Sequence, residues 1–504
     1  MAWKAIKWFA KSDYSKLLPI LLLAFYMAFI PHQNYPYPVH IDEWVHLTYS
    51  EALLDAKSTT FIEPFYGQST IGLSSNLEAS FQLFWGVFHQ ISGISWLTIF
   101  RYFPGFIFML TALSVYVFAR REGFGWEAAF FACLIPTTVG ILGPAFLVPV
   151  AMGLLFIPLS MFLVFNFKTW WSYVVLFIFS SFLVAIHAPT AIGLGIILLP
   201  YILLNLKGNF KHSLVTTLAI VLPFLAPFPW IFKMLLPTAK LLFSQIPIAE
   251  YIEIPQIIQT YGYLPIGLCG LGTLLLAVRG GKKNYGLILG LLAMLVILVL
   301  YFTFHYGVEL VYVRGLMYMM LALSIIAGAG LMGIRNVNLS NLFSWAGLSR
   351  ITKIRLASKF GGVPVSFLTR NTGVILCLAL IGVTLSISIP ARQQIPYYHM
   401  IDEADYQAFV WIRDNVNGNY NKAILDPWKA TAFTAITQKH VYTRIHAYPM
   451  SSDMEAYDFL EGGCTDTSFL TDRGISIVYS QWDCNNPDLL EVSKDVYLLK
   501  EAAP

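Results

Sequence analysis

From Leu17 to Ile389 the chain is dominated by apolar runs, most of them separated by short basic punctuation, and this limits the fold before any motif is considered. About 20 apolar residues in a helix cross the ~30 Å hydrocarbon core of a bilayer, and a segment in lipid must satisfy its own backbone hydrogen bonds. Apolar residues are 57% of the chain and charged ones 12%, against about 25% charged in soluble domains. The mean hydropathy of +0.64 agrees. The fold class expected is a multi-span α-helical membrane protein.

Eleven runs read as spans. The first, Leu17–Ile30, follows Lys4, Lys7, Lys11 and Lys16, and no small-residue cleavage site succeeds it. It reads as a retained helix starting in the cytoplasm rather than as a signal peptide. Phe100–Ala119 ends at Arg120-Arg121. Ala128–Leu142 and Ala145–Phe167 are broken at Gly143-Pro144, and Ser172–Ile186 and Ala191–Leu206 at His187-Ala-Pro189. Leu214–Phe232 leads to a polar loop with Lys233, Lys240, Glu250 and Glu253. Tyr263–Val278, Tyr285–Phe304, Val311–Ile334 and Gly373–Ile389 complete the set. The stretch 335–370 carries Arg335, Arg350, Lys353, Arg355, Lys359 and Arg370 without an acidic residue, which marks a cytoplasmic loop able to lie on anionic headgroups. Eleven spans that start inside finish outside. A transmembrane domain over residues 1–389 and an external domain over 390–504 follow, in a multi-pass protein of the cell membrane with a cytoplasmic N-terminus.

The tail differs in kind, with 16 acidic residues against 9 basic. Its pattern reads helix (Ala404–Asn415), strand (Lys422–Leu425), helix (Lys429–Thr437), strand (His440–Thr443), strand (Ile475–Tyr479) and strand (Val496–Leu499). That alternation predicts a small α/β domain. No GxGxxG follows a strand, so dinucleotide binding has no support, and nothing points to nucleic acid. Cys464 and Cys484 lie in this polar region and can form a disulfide if it is outside the cytoplasm. Cys133, Cys269 and Cys377 sit in apolar runs as small core residues.

Between the first two spans lies a long polar connection, residues 31–98, with helical periodicity over Trp44–Leu54 and an apolar stretch at Phe81–Ile91. Both are too short to span and read as helices in the interface plane. Just before them stands His40-Ile-Asp42-Glu43-Trp44-Val-His46. Charge beside a membrane is costly unless it faces an aqueous site, so the cluster is a functional candidate. A solvated loop with a chance acidic pair is the other reading. On one helix Asp42 and His46 are four apart and Glu43 and His46 three apart, so each pair shares a face. One carboxylate can act as general base while a neighbour orients it. Asp42, Glu43 and His46 are also the residues that would hold a divalent metal such as Mg or Mn, if one is used.

Other polar residues gather at the same ends of the spans. Glu78 is a candidate second acid, or a surface charge. Arg101 and Arg314, the latter in Glu309-Leu-Val-Tyr312-Val-Arg314, begin spans, where arginine either snorkels to headgroups or grips phosphate through its planar fork. Tyr312 joins Arg314 as a substrate-binding candidate, with Lys233 and Lys240 as further cations. His187 either faces a polar cavity or is a satisfied structural histidine. A carboxylate base and a phosphate-holding cation sharing a wet cavity would suit transfer of a group carried on a lipid phosphate.

On these residues the chain resembles the GT-C superfamily of integral-membrane glycosyltransferases, whose first external loop carries an acidic DE, DD or DxD motif and amphipathic helices. His40-x-Asp42-Glu43-x-x-His46 looks like the HxDExxH/Q-type signatures of members that use lipid-phosphate mannose or glucose. Tyr406-x-x-x-x-Trp411-Ile-Arg413 and Ile424-Leu-Asp426-Pro427-Trp428 are similar to C-terminal domains of archaeal members. The resemblance implies Asp42 as catalytic base with Glu43 as its neighbour. It also implies a polyprenyl- or dolichyl-phosphate-linked sugar donor, inversion at the anomeric carbon, and Arg314 on the donor phosphate. The acceptor would be a glycolipid or a protein. The WWDxG motif of oligosaccharyltransferases has only Gln481-Trp482-Asp483 as an echo, which disfavours transfer of a whole glycan to asparagine. The HPP-type loop motif of protein O-mannosyltransferases is absent. The competing class is a transporter or flippase of lipid-linked glycans, which would place polar residues near the bilayer midplane and show internal repeats.

Overall fold

The computed structural model describes residues 14–73, 76, 78–138, 141–226, 254–306, 309–337, 365–395, 397, 399–445 and 450–500, with the backbone alone over 309–313 and 365–370. Lys4, Lys7, Lys11, Lys233, Lys240, Glu250, Glu253, the basic residues Arg350–Lys359 and the side chains of Tyr312 and Arg370 lie outside the described residues. In chain order the helices are α1 (Tyr14–Phe29), α2 (Ile41–Ala56), α3 (Ala79–Ser92), α4 (Trp96–Arg120), α5 (Gly125–Ala132), α6 (Pro149–Leu154), α7 (Phe156–Asn166), α8 (Trp170–Asn205), α9 (Phe210–Val221), α10 (Ile254–Tyr261), α11 (Tyr263–Arg279), α12 (Lys282–Phe304), α13 (Glu309–Arg335) and α14 (Val365–Gln393). The short strands β1 (Phe61–Ile62) and β2 (Thr70–Ile71) form a hairpin between α2 and α3.

The chain divides into two compact units. The first comprises residues 1–30, 104–145 and 150–396 and holds the apolar helices. Among the described residues, seven helices are long and apolar enough to cross a membrane, or eight if the α10–α11 pair, bent by 78°, is one span. The sequence predicts eleven, and the differences have local causes. Pro136, Gly143 and Pro144 stop the run Ala128–Leu142 after the eight residues of α5. The runs on either side of His187 join in the 36-residue α8, whose one non-helical residue is His187. An unbroken helix of that length would measure roughly 54 Å, well beyond a single hydrocarbon core. The run beginning at Leu214 forms the short α9 before leaving the described residues.

Helix α13 packs against α5, α8, α11, α12 and α14. Small residues let these backbones meet: a Cβ on Gly272 of α11 would strike the Ile326 carbonyl, and one on Gly330 of α13 the Leu268 carbonyl. Gly193 of α8 makes room for the Tyr318 ring in the same way. Fully buried Glu127 of α5 forms an ion pair with Arg335 at the end of α13. Its partner offsets the cost of removing that carboxylate from water.

The second unit contains residues 31–103, 146–149 and 397–504, so the first loop, assigned from sequence to the membrane part, clusters with the tail. The tail continues with α15 (Glu403–Asn415), β3 (Lys422–Ile424), α16 (Ala430–Thr437), β4 (His440–Val441), α17 (Ser451–Glu461), α18 (Thr467–Asp472), β5 (Ile477–Tyr479), β6 (Leu489–Ser493) and β7 (Val496–Leu499). The strands form one mixed sheet in the order β4-β3-β5-β7-β6, parallel from β4 to β5 and antiparallel from β5 to β6. Ile424, Leu460, Leu470, Val478 and Leu499 lie in its core. The α/β pattern stands as expected, with α17, α18 and β6 as additions. Cys464 and Cys484 form a disulfide.

Candidate active site

The approach to α2 is Tyr35-Pro36-Tyr37-Pro38-Val39. Proline holds φ near −65° and removes a backbone donor, so this segment favours an extended path and is fixed largely through side chains. The Tyr35 hydroxyl donates to the Ile401 carbonyl at 2.8 Å, and Tyr37 donates to Glu403 Oε2 at 2.5 Å. The Tyr35 ring stacks on His399 with centroids 4.0 Å apart.

His40 then caps α2, its Nδ1 accepting the Asp42 amide at 3.1 Å. Glu43, three residues on, closes the reciprocal half of the box. Its Oε2 accepts the amides of Val39 at 2.8 Å and His40 at 3.1 Å, and its Oε1 accepts the amide of Leu147 at 2.7 Å. Glu43 is 0% exposed. Burial pushes its carboxyl up to about 8, the three amides pull it down, and the neighbouring Asp42 charge pushes it up again.

The acidic pair therefore splits. Glu43 accepts three backbone donors. Asp42, in the same helical turn, keeps a side chain 41% exposed, with Oδ2 4.0 Å from His40 Nδ1. In the first turn of α2 it occupies a position that favours negative charge. The His40 ring lies 5.0 Å from Phe146.

His46 is also buried, its side chain 8% exposed. Nε2 lies 3.9 Å from Glu78 Oε2, and the ring meets Phe81 edge-on at 5.0 Å. Glu78 is the N-cap residue of α3 and its side chain is 37% exposed. Among the described residues no group of three His, Cys, Asp or Glu side chains is arranged to hold a metal ion.

Arg101 donates to the Gln33 carbonyl at 3.4 Å, with its guanidinium 5.4 Å over the Tyr102 ring. Asp42, His46, Glu78 and Arg101 all belong to the second unit, whereas His187 and Arg314 belong to the first. His187 is buried, with Nδ1 2.7 Å from Thr190 Oγ1, which lies 2.7 Å from the Tyr318 hydroxyl. That chain fixes the Nδ1 edge of the ring inside the first unit. Arg314 is partly buried on α13.

The tail also has a shallow hollow of about 350 Å³ beside Phe469. Asp466 on its rim caps α18, and Glu455 pairs with Arg473 at 3.0 Å, so these groups serve the fold. Sequence reasoning missed the anchoring roles of Tyr35, Tyr37 and Leu147. His40 followed three residues later by Glu43 is the one local signal that identifies the cap.

No protein-family model matches the sequence, and no curated protein matches it. Solved structures do. The chain is similar to the apo oligosaccharyltransferase of Archaeoglobus fulgidus at a TM-score of 0.64 and 12% identity, over 94% of this chain and 70% of that one. The same enzyme, AglB, in complex with an inhibitory peptide and a dolichol-phosphate matches at a TM-score of 0.63 and 12% identity, over 94% and 69%. Its complex with Zn and sulfate matches at 0.57 and 12% identity, over 91% and 67%. The likeness is one of fold: the chain has the fold of the archaeal oligosaccharyltransferase AglB.

Proposed function

We propose that this protein is a membrane glycosyltransferase that moves a sugar from a polyprenyl- or dolichyl-phosphate-linked donor to a hydroxyl of a lipid-linked glycan or protein. The observation that carries the reading is the split acidic pair, with Glu43 buried as the anchor of α2 and Asp42 left half-exposed beside it. The fold shared with an enzyme solved in complex with a dolichol-phosphate supports the donor class.

In this reading Asp42 accepts the proton of the acceptor hydroxyl as its oxygen bonds to the anomeric carbon. The bond from that carbon to the phosphate oxygen breaks, and the lipid phosphate leaves with the electron pair. Attack opposite the leaving group inverts the centre. Arg314 is assigned the donor phosphate on guanidinium chemistry, with Tyr312 beside it in sequence. Arg101, His40, His46 and Glu78 are assigned to substrate binding. The tail is placed outside the cytoplasm, which suits its disulfide.

The test uses the purified full chain with radiolabelled dolichyl-phosphate mannose and glucose, following release of dolichyl phosphate and the labelled product. Label transferred by the wild type and lost in Asp42→Asn supports the reading. Unchanged transfer in that variant removes the base assignment. Movement of a lipid-linked glycan across vesicles with no product formed favours a flippase instead.

A further inference from the structure

We infer that the tail of this chain sets the position of Asp42, with Tyr35 and Tyr37 as positioning residues that hold the entry to α2 against the start of α15. The inference rests on the reading of Asp42 as the base. Within the second unit the tail grips α2 at three places. Ahead of it, Tyr35 both donates to the Ile401 carbonyl at 2.8 Å and accepts the Ile401 amide at 3.3 Å, while Tyr37 donates to Glu403 and its ring lies 4.8 Å from Tyr406. Along it, α16 packs against α2. Behind it, the Val441 amide of β4 donates to the Phe65 carbonyl at 2.7 Å, and His440 Nδ1 lies 2.9 Å from the Pro64 carbonyl.

The first grip matters most for Asp42. Tyr37 stands two residues before Val39, whose amide Glu43 holds at 2.8 Å. Pro36 and Pro38 have no N–H to give, so the hydroxyls supply polar anchorage that the backbone of those two residues cannot. Tyr35, Tyr37 and Val39 are all buried, so the segment is packed as well as bonded. A carboxylate half-exposed in the first helical turn has its direction set by the path of the residues leading into it. Misplacement by about 1 Å can cost on the order of a hundredfold in rate.

The experiment compares Tyr37→Phe, the double variant Tyr35→Phe/Tyr37→Phe, Glu403→Ala, Glu403→Gln and Asp42→Asn in the full chain. Two readouts are taken: turnover of dolichyl-phosphate mannose or glucose, whichever the wild type uses, and hydrogen exchange over residues 39–56. The double variant and Glu403→Ala should lower kcat about tenfold with the donor KM within about twofold, and exchange at Val39 and His40 should quicken about tenfold. Glu403→Gln keeps an acceptor for the Tyr37 hydroxyl and should hold both readouts near wild type. Unchanged kcat and exchange in the double variant, or Glu403→Gln falling as far as Glu403→Ala, overturns the inference while Asp42→Asn stays inactive. Full turnover in Asp42→Asn overturns the base assignment itself, and this inference with it.

Discussion

The Glu43 carboxylate accepts the amide of Leu147 at 2.7 Å across a separation of 104 residues. The bond ties the first turn of α2 to the four-residue segment 146–149 of the same unit. A side chain with three backbone donors and no exposure has little freedom to react, so the residue beside it is left as the candidate base.

Removing that anchor should therefore cost stability first. Glu43→Ala leaves three amides unanswered, two of them buried, and should destabilise the fold by on the order of 3 kcal/mol. Glu43→Gln should fall between it and wild type, because one end of the amide turns a donor toward donors. The thermal midpoint of the purified protein measures this, and a midpoint unchanged in both variants would contradict the anchoring role.

Asp42 should behave in the opposite way. Asp42→Asn should lower transfer by a factor of about 10² to 10⁴, the usual range for a general base. Its half-exposed side chain should leave the free energy of unfolding within about 0.5 kcal/mol of wild type. Equal losses of activity and stability would point to a structural role.

The pH profile should carry a signature of Glu51. Burial pushes its carboxyl up to about 8, and the Asp55 carboxylate adds to the rise. The folded protein then holds this proton more tightly than the unfolded chain. The stabilisation is complete below about 4.5 and is lost as pH rises through about 8. Glu51→Gln should flatten the fall in unfolding midpoint across that window, with the part due to Glu43 remaining. A slope as steep as wild type would place the titration elsewhere.

Reduction should loosen the tail. The Cys464–Cys484 bridge closes a loop with a sequence separation of 20, for which chain entropy contributes about 3 kcal/mol. Cys464→Ser/Cys484→Ser should become susceptible to protease around α17 and α18, while α2 keeps its protection. Identical digestion patterns would show the bridge to be dispensable.

Much of the membrane unit is legible in the sequence because a long apolar run specifies a spanning helix without help from distant residues. What escapes are the interruptions. Whether Pro136 and Gly143 end a helix, and whether His187 separates two spans or kinks one, depends on packing partners such as Tyr318, 131 positions from His187 in the chain. In the tail, β6 has one buried, two exposed and two intermediate residues without clean alternation, so its pattern does not announce a strand. The acidic pair shows the limit most sharply. Asp42 and Glu43 are equivalent in composition and spacing, and the difference between them comes from a backbone amide at Leu147.

Where Gly272 and Gly330 bring α11 and α13 together, carbonyl oxygen stands in the space a side chain would need. Contacts between long side chains can slip by changing rotamers, but bare backbone offers no such slack. The helix bearing Arg314 and its neighbour α11 are consequently coupled like a keyed shaft. Any rearrangement among these helices should proceed at looser seams, leaving this pair to travel as one piece.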